Sequence, residues 1–187
     1  MSTTTATTTT VRNGVPVDKL FGTICKVTEQ PELAAFRFTA RNRWVEGTAS
    51  RSTIHEWAGA GGEHLHVEQF SMSADHPTLG HGHGPTPQEY VLHALAACVT
   101  AGIATTAAAR KIELTSIEST VRGEIDVRGA LGIDPEVRNG YQRVVMDVSV
   151  EGDASPSDLE ALVESGQARS AVYDMLSATT PVEVRTV

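Results

Sequence analysis

A chain of 187 residues with 40% hydrophobic and 20% charged content suits one domain, with or without extensions, and can bury a sizeable core. Its formal net charge is −8 and no basic run interrupts it, which argues against a nucleic-acid surface. The only two cysteines, Cys25 and Cys98, are too few for a disulfide scaffold and suit a reducing cytoplasm; sequence leaves open whether they could pair.

The amino terminus is a threonine tract, Thr3 to Thr10 broken only by Ala6. It lacks the basic start, apolar centre and cleavage site of a secretory signal, so residues 1–16 are expected to be a disordered tail. Val17 to Ala35 is amphipathic, with Leu20, Ile24 and Val27 on one face, and is expected to be a helical extension up to the break at Pro31. Phe36, Phe38 and Ala40 then alternate with Arg37, Thr39 and Arg41, the period of a half-buried strand. Glu46-Gly47-Thr48 supplies a turn, Ser50–Trp57 a returning strand, Gly59–Gly62 a second turn and His64–Ala74 a third strand.

A Gly-, Pro- and His-rich loop, Asp75 to Pro87, leads into the stretch that dominates the chain. From Tyr90 through Ala109 there is no Asp, Glu, Lys or Arg, alanine is abundant, and Leu92, Leu95, Val99 and Ile103 recur at helical spacing. Pro87 and Glu89 suit the start of a helix and Arg110 its end. Such a run could span a membrane. His93, Gly102, three threonines and the preponderance of alanine instead indicate a helix buried at the centre of a soluble protein.

Beyond it, Leu114–Val127 and Val144–Val150 alternate as strands around a Gly-bearing loop, Arg128 to Gly140. Ser155-Pro156-Ser157-Asp158 gives an N-cap, a first-position proline and a carboxylate, opening a helical or broken-helical stretch to about Leu176. Pro181–Val187 is expected to close as a strand. The pattern is α+β, without an evident internal repeat.

Two groups of residues could carry chemistry. His64-x-His66 and His81-x-His83, with His76 nearby, have spacing that puts paired imidazoles on one strand face; no HExxH motif or cysteine pair accompanies them, and no metal is expected. Cys98 lies about three turns into its helix, too far in for the helix dipole to help, and burial would raise its pKa. A reactive Cys98 would therefore need a cation from elsewhere in the fold.

The segment Gly84-Pro85-Thr86-Pro87-Gln88-Glu89-Tyr90, followed by Leu92-His93-Ala94-Leu95-Ala96-Ala97-Cys98, resembles the signature of the OsmC/Ohr family, the osmotically inducible protein C and organic hydroperoxide resistance proteins. That signature is a G-x-N/T-P-x-E loop followed by an Ala-rich helix carrying the peroxidatic cysteine. The similarity continues through Ala109–Leu114 and the closing Thr180-Pro181-Val182-Glu183-Val184, so that residues 36–187 resemble one OsmC-like domain. The resemblance implies an intertwined homodimer, antiparallel sheets wrapped around two long central helices, and a cytoplasmic thiol-dependent peroxidase of oxidative stress defence. Its partners would be a small organic hydroperoxide and an external dithiol reductant, with no cofactor, nucleic acid or membrane. Cys98 matches the peroxidatic cysteine, and Arg51, with Arg43 as the alternative, would supply the stabilising guanidinium.

Two departures follow from the same match. Ser170 stands where the family's resolving cysteine would be, and serine cannot close a disulfide. Gln88 falls where some members place a carboxylate to hold the arginine, with Glu89 one residue on. Three readings remain: a one-cysteine peroxidase using an external thiol, a non-catalytic dimer binding a small hydrophobic ligand in its interfacial pocket, and a metal site on the loop histidines.

Overall fold

The computed structural model describes residues 10–186. Its regular elements mix helices with antiparallel sheets, as an α+β pattern demands. The chain divides into two compact units, one built from Pro16–Tyr90 and the other from Val11–Val15 and Val91 onward.

The first unit opens with α1 (Val17–Glu29), whose hydrogen-bonded end is followed by a 3-10 turn, Pro31–Ala34. Four strands follow: β3 (Arg37–Phe38), β4 (Arg41–Glu46), β5 (Ala49–Gly59) and β6 (Gly62–Ala74). The single strand expected over Phe36–Arg41 is thus two short ones, because β3 pairs the far end of β5 at Trp57 and Ala58 while β4 pairs its start. β5 is the central strand, paired with β6 along its other side. Gly47 and Gly61 take φ of 50° and 82°, which lets two tight turns reverse the chain. Between Ile54 and Glu56 the partner on β6 jumps from Phe70 to Leu65, so residues 66–69 bulge out of the ladder.

In the second unit, β7 (Leu114–Glu124) and β8 (Arg143–Gly152) form an antiparallel pair. One face of that pair packs on α2 (Pro87–Arg110) and α4 (Pro156–Ala168). The core is Leu95, Val99, Ile103 and Ala107, a row at i, i+4 spacing along α2, closed by Leu162 of α4. Ile103 and Leu162 are 0% exposed, and each contributes roughly 1.5–3 kcal/mol by leaving water. Thus α2, long enough and with a mean hydropathy of 1.7 high enough to cross a membrane, is the core helix of this unit. α4 starts as its sequence dictates: the Ser155 hydroxyl caps the N–H of Asp158 and Pro156 takes the first position.

Three further expectations are corrected. Residues 10–16 are not a frayed tail: Val11–Arg12 (β1) and Val15–Pro16 (β2) form a hairpin around Asn13-Gly14, whose φ of 50° and 75° are those of a two-residue hairpin turn. The Asn13 amide clamps the second unit's backbone, donating to the Ile112 carbonyl at 2.9 Å and accepting from the Leu114 N–H at 2.9 Å. Arg12 pairs with Glu113 beside it at 2.7 Å. The expectation for residues 1–9 lies outside the described residues. The strand ending at Val127 stops at Glu124, because the Asp126 carboxylate caps a short helix, α3 (Val127–Ala130). No strand forms over 181–186: Pro181 has no N–H, the segment joins no ladder, and Val182 and Val184 stand exposed.

Candidate active site around Cys98

The start of α2 is a reciprocal cap. Thr86 Oγ1 accepts from the Glu89 N–H at 3.2 Å, and Glu89 Oε2 accepts from the Thr86 N–H at 2.7 Å and its hydroxyl at 2.8 Å. Those two donations from Thr86 hold the Glu89 carboxyl below its ordinary value. Glu89 is therefore engaged in fixing the helix start, with the Gln88 side chain exposed beside it. Just upstream, Asp75 gathers the His-rich loop. Its carboxylate accepts from the Thr48 hydroxyl (2.7 Å) and from the N–H groups of His76 (2.8 Å), His81 (2.9 Å) and His83 (3.3 Å). The Thr48 hydroxyl first, and then those N–H groups, hold its pKa far below the carboxylate range against the cost of burial. A Cβ at Gly80 would fall 1.9 Å from Asp75 Oδ1, so only glycine fits there.

Cys98 is positioned by a helix crossing. A Cβ on Gly102 would meet the Gly166 Cα at 3.0 Å, and one on Gly166 would meet Ile103 Cγ1 at 2.6 Å and the Val99 carbonyl at 3.0 Å. Glycine at both positions lets the backbones of α2 and α4 touch. One turn from that crossing, four residues back along α2 and four forward from Gly166, Cys98 meets Ser170. There α4 has ended, and Ser170 is the N-cap of α5 (Ala171–Ser177), its oxygen accepting from the Tyr173 N–H at 3.1 Å.

The Cys98 sulfur is half-buried and not disulfide-bonded. Partial burial is the largest single influence on it and pushes the thiol up. Donation from the Ser170 hydroxyl and from the N–H groups of Val172 and Ala171 together outweighs this, leaving the thiol below its ordinary value. The groups of this unit that lower the thiol are thus neutral donors. In the sequence Ser170 reads only as a missing sulfur; the signal for its place is a serine where a helix breaks and restarts.

The arginines lie in the other unit. Arg43 of β4 and Arg51 of β5 are directly opposite in the ladder, so both leave the same face of the sheet. Arg41 pairs with Glu56 and Arg37 with Glu63 at 2.8 Å, whereas Arg43 and Arg51 make no ion pair among the described residues. They are this sheet's two uncommitted guanidiniums.

The His81 and His83 rings lie side by side with centroids 5.7 Å apart, while the other histidines of these motifs have separate occupations. His64 Nε2 is 3.0 Å from the Gly59 carbonyl and its ring stacks on Trp57 at 4.1 Å. His66 meets the edge of Phe70, and His76 Nδ1 accepts from the Thr78 and Leu79 N–H groups. Among the described residues, no three His, Cys, Asp or Glu side chains converge to hold a metal ion.

A family model described as OsmC-like protein matches residues 80–185, the span from the His-rich loop through Cys98 and Ser170. Solved structures share the fold at low identity. An OsmC-like protein from Mycoplasma pneumoniae aligns at TM-score 0.58 and 15% identity, over 76% of this chain and 89% of that one. An OsmC-like protein of unknown function from Vibrio cholerae aligns at 0.52 and 17%, over 77% and 94%. A hypothetical protein from Aquifex aeolicus gives 0.52 and 13%, over 77% and 89%. No protein of curated function matches the chain.

Proposed function

The chain belongs to the OsmC-like protein family, and from that premise we propose that it is a thiol-dependent peroxidase reducing organic hydroperoxides through Cys98. The observation that carries this reading is the family match over residues 80–185, which contains Cys98, and it is supported by a half-buried thiol held below its ordinary value by the Ser170 hydroxyl and the Val172 and Ala171 N–H groups. A cysteine that served packing alone would be raised by burial and left without donors.

The chemistry is a two-electron oxygen transfer. The Cys98 thiolate attacks the distal oxygen of the hydroperoxide; an S–O bond forms as the O–O bond breaks. The sulfur becomes a sulfenic acid, and the departing alkoxide takes a proton and leaves as an alcohol. Arg51, with Arg43 facing it across the ladder, is proposed as the cation that completes thiolate stabilisation in a homodimer. With Ser170 where a resolving cysteine would stand, an external dithiol returns the sulfur to thiol, becoming a disulfide and releasing water. A reducing cytoplasm is the compartment this cycle suits.

The test is direct. Cumene hydroperoxide should convert Cys98 to a dimedone-trappable sulfenic acid, and Cys98→Ser should abolish peroxide consumption with dihydrolipoamide as reductant. Because the thiol lies below its ordinary value, the rate should climb with pH and level off at a lower pH than a free cysteine's. No adduct at Cys98 under excess peroxide would overturn the reading and favour a dimer that binds a hydrophobic ligand without turning it over.

A further inference from the structure

We propose that His81 and His83 form a two-imidazole site for a borderline divalent metal ion of the Zn²⁺, Ni²⁺ and Cu²⁺ class. Their rings lie side by side, with centroids 5.7 Å apart and planes tilted by 36°. An ion about 2.0–2.1 Å from one nitrogen of each ring, with about 1 Å more to each ring centre, holds two centroids about 5–6 Å apart. The pair already stands at the spacing that shared coordination needs. Both residues are exposed, and neither ring makes a hydrogen bond or ion pair among the described residues.

The loop that carries them is held from within. The Asp75 N–H donates to the Pro85 carbonyl at 3.2 Å and closes its neck, and the Gly80 N–H donates to the His76 carbonyl at 2.9 Å inside it. Asp75 is 2% exposed, and a single oxygen of its carboxylate, Oδ2, accepts from the N–H groups of His81 at 2.9 Å and His83 at 3.3 Å. One buried atom thus fixes both residues through the backbone and leaves both imidazoles unspent. A pair ordered in advance loses little entropy when it binds.

The other histidines mark the contrast. His64 and His66 share the spacing, but His64 is spent on the Gly59 carbonyl and on Trp57, and the His66 ring meets Phe70. His76 Nδ1 accepts from two N–H groups, so a neutral His76 carries its proton on Nε2 and has no lone pair left for an ion. No third His, Cys, Asp or Glu joins His81 and His83 among the described residues. Structural zinc sites take four protein ligands, so two imidazoles make an exchangeable site whose remaining positions go to water. Imidazole donors suit Zn²⁺, Ni²⁺ and Cu²⁺, whereas Mg²⁺ and Ca²⁺ take oxygen.

The experiment titrates Zn²⁺ alone into the full chain, stripped with a chelator and free of any histidine tag, and reads the imidazole nitrogen signals by NMR. His81 and His83 should each shift at one ring nitrogen and saturate together, with His64 and His66 unmoved. His81→Ala and His83→Ala should each weaken binding at least about tenfold, because a lone imidazole loses the effective concentration its neighbour supplies. Both substitutions fall on exposed rings, and circular dichroism checks that the fold persists. Mg²⁺ in the same titration should move neither ring. Shifts that never saturate, a response from only one of the two rings, or parental affinity in either alanine variant would overturn the site. Cys98 takes no part in the readout, so either result leaves the peroxidase reading to its own test.

Discussion

The two units of this chain are held together by different means. The second has a packed core in which Leu95, Val99, Ile103, Ala107 and Leu162 close against one sheet face. The first has a long, well-paired ladder, yet Phe38 is 74% exposed, Trp44, Leu65 and Val67 are likewise open, and Asp75 is its one buried charged group among the described residues. Hydrogen bonds, cross-sheet ion pairs and the aromatic stack of Phe36 on Trp57 at 5.7 Å hold it. Exposed ion pairs stabilise little, and a sheet with large apolar side chains in water is a surface suited to cover. The Cys98 sulfur sits in the unit with the closed core and the uncommitted arginines in the one without, although the second unit also leaves Leu131, Ile133 and Met175 more than half exposed.

The contrast can be broken at its strongest point. Ile103→Ala should cost about 2–5 kcal/mol in denaturant unfolding, because a fully enclosed side chain leaves a cavity that the crossing helices cannot collapse into. A cost below about 1 kcal/mol would mean that the second unit is as loosely held as the first. Gly166→Ala comes next. Its Cβ would lie 2.6 Å from Ile103 Cγ1 and 3.0 Å from the Val99 carbonyl, so the helices must part, at about 1–3 kcal/mol. Since the same crossing sets Cys98 against Ser170, this variant should also raise the pH midpoint of Cys98 alkylation by iodoacetamide. Loss of stability with an unmoved midpoint would uncouple the crossing from the site.

What was legible in the sequence follows the same division. The core helix announced itself through charge-free periodicity, and its ends at Pro87 and Arg110 fall where proline and the terminal charge put them. α4 was equally plain from Ser155-Pro156. The hairpin at Asn13-Gly14 carries its own signal, a dipeptide suited to a two-residue turn with positive φ at both positions. The closing strand failed because alternation in Val182 and Val184 states only a preference, and a strand exists only where a neighbour supplies a ladder. The donors on Cys98 were illegible for a related reason: two are backbone N–H groups, whose availability depends on where α5 begins.

Smaller effects sharpen the comparison. Asn13→Ala removes both bonds that tie the hairpin to the backbone around Glu113, and should cost about 1–2 kcal/mol, leaving one carbonyl and one N–H to find water. Hydrogen exchange at the Leu114 amide checks it directly, and an unchanged rate would make the hairpin an ornament on the second unit. Asp75→Asn tests the first unit through pH. A carboxyl lowered on folding stabilises the protein above its unfolded pKa, and that contribution is lost as pH falls toward the folded value. The gap between parent and Asp75→Asn should therefore be widest at neutral pH and narrow progressively below about pH 4. A gap equal at pH 7 and pH 3 would show that shape, not charge, makes Asp75 the anchor of the loop.

Val67→Ala should have the smallest effect. Val67 lies in the bulge of β6, outside the ladder, with its side chain fully in solvent. Shortening it removes apolar surface that the lone chain does not bury, so unfolding should move by less than about 0.5 kcal/mol. Repeating the measurement over a hundredfold range of protein concentration gives the result its force. If the bulge stays open in solution, the two proteins unfold alike at every concentration. If instead Val67→Ala is destabilised by more than about 1 kcal/mol, and more so at high concentration, a second copy covers the bulge by mass action. The openness of the first unit would then belong to the single chain alone, and its arginine face would have to be judged within the assembly.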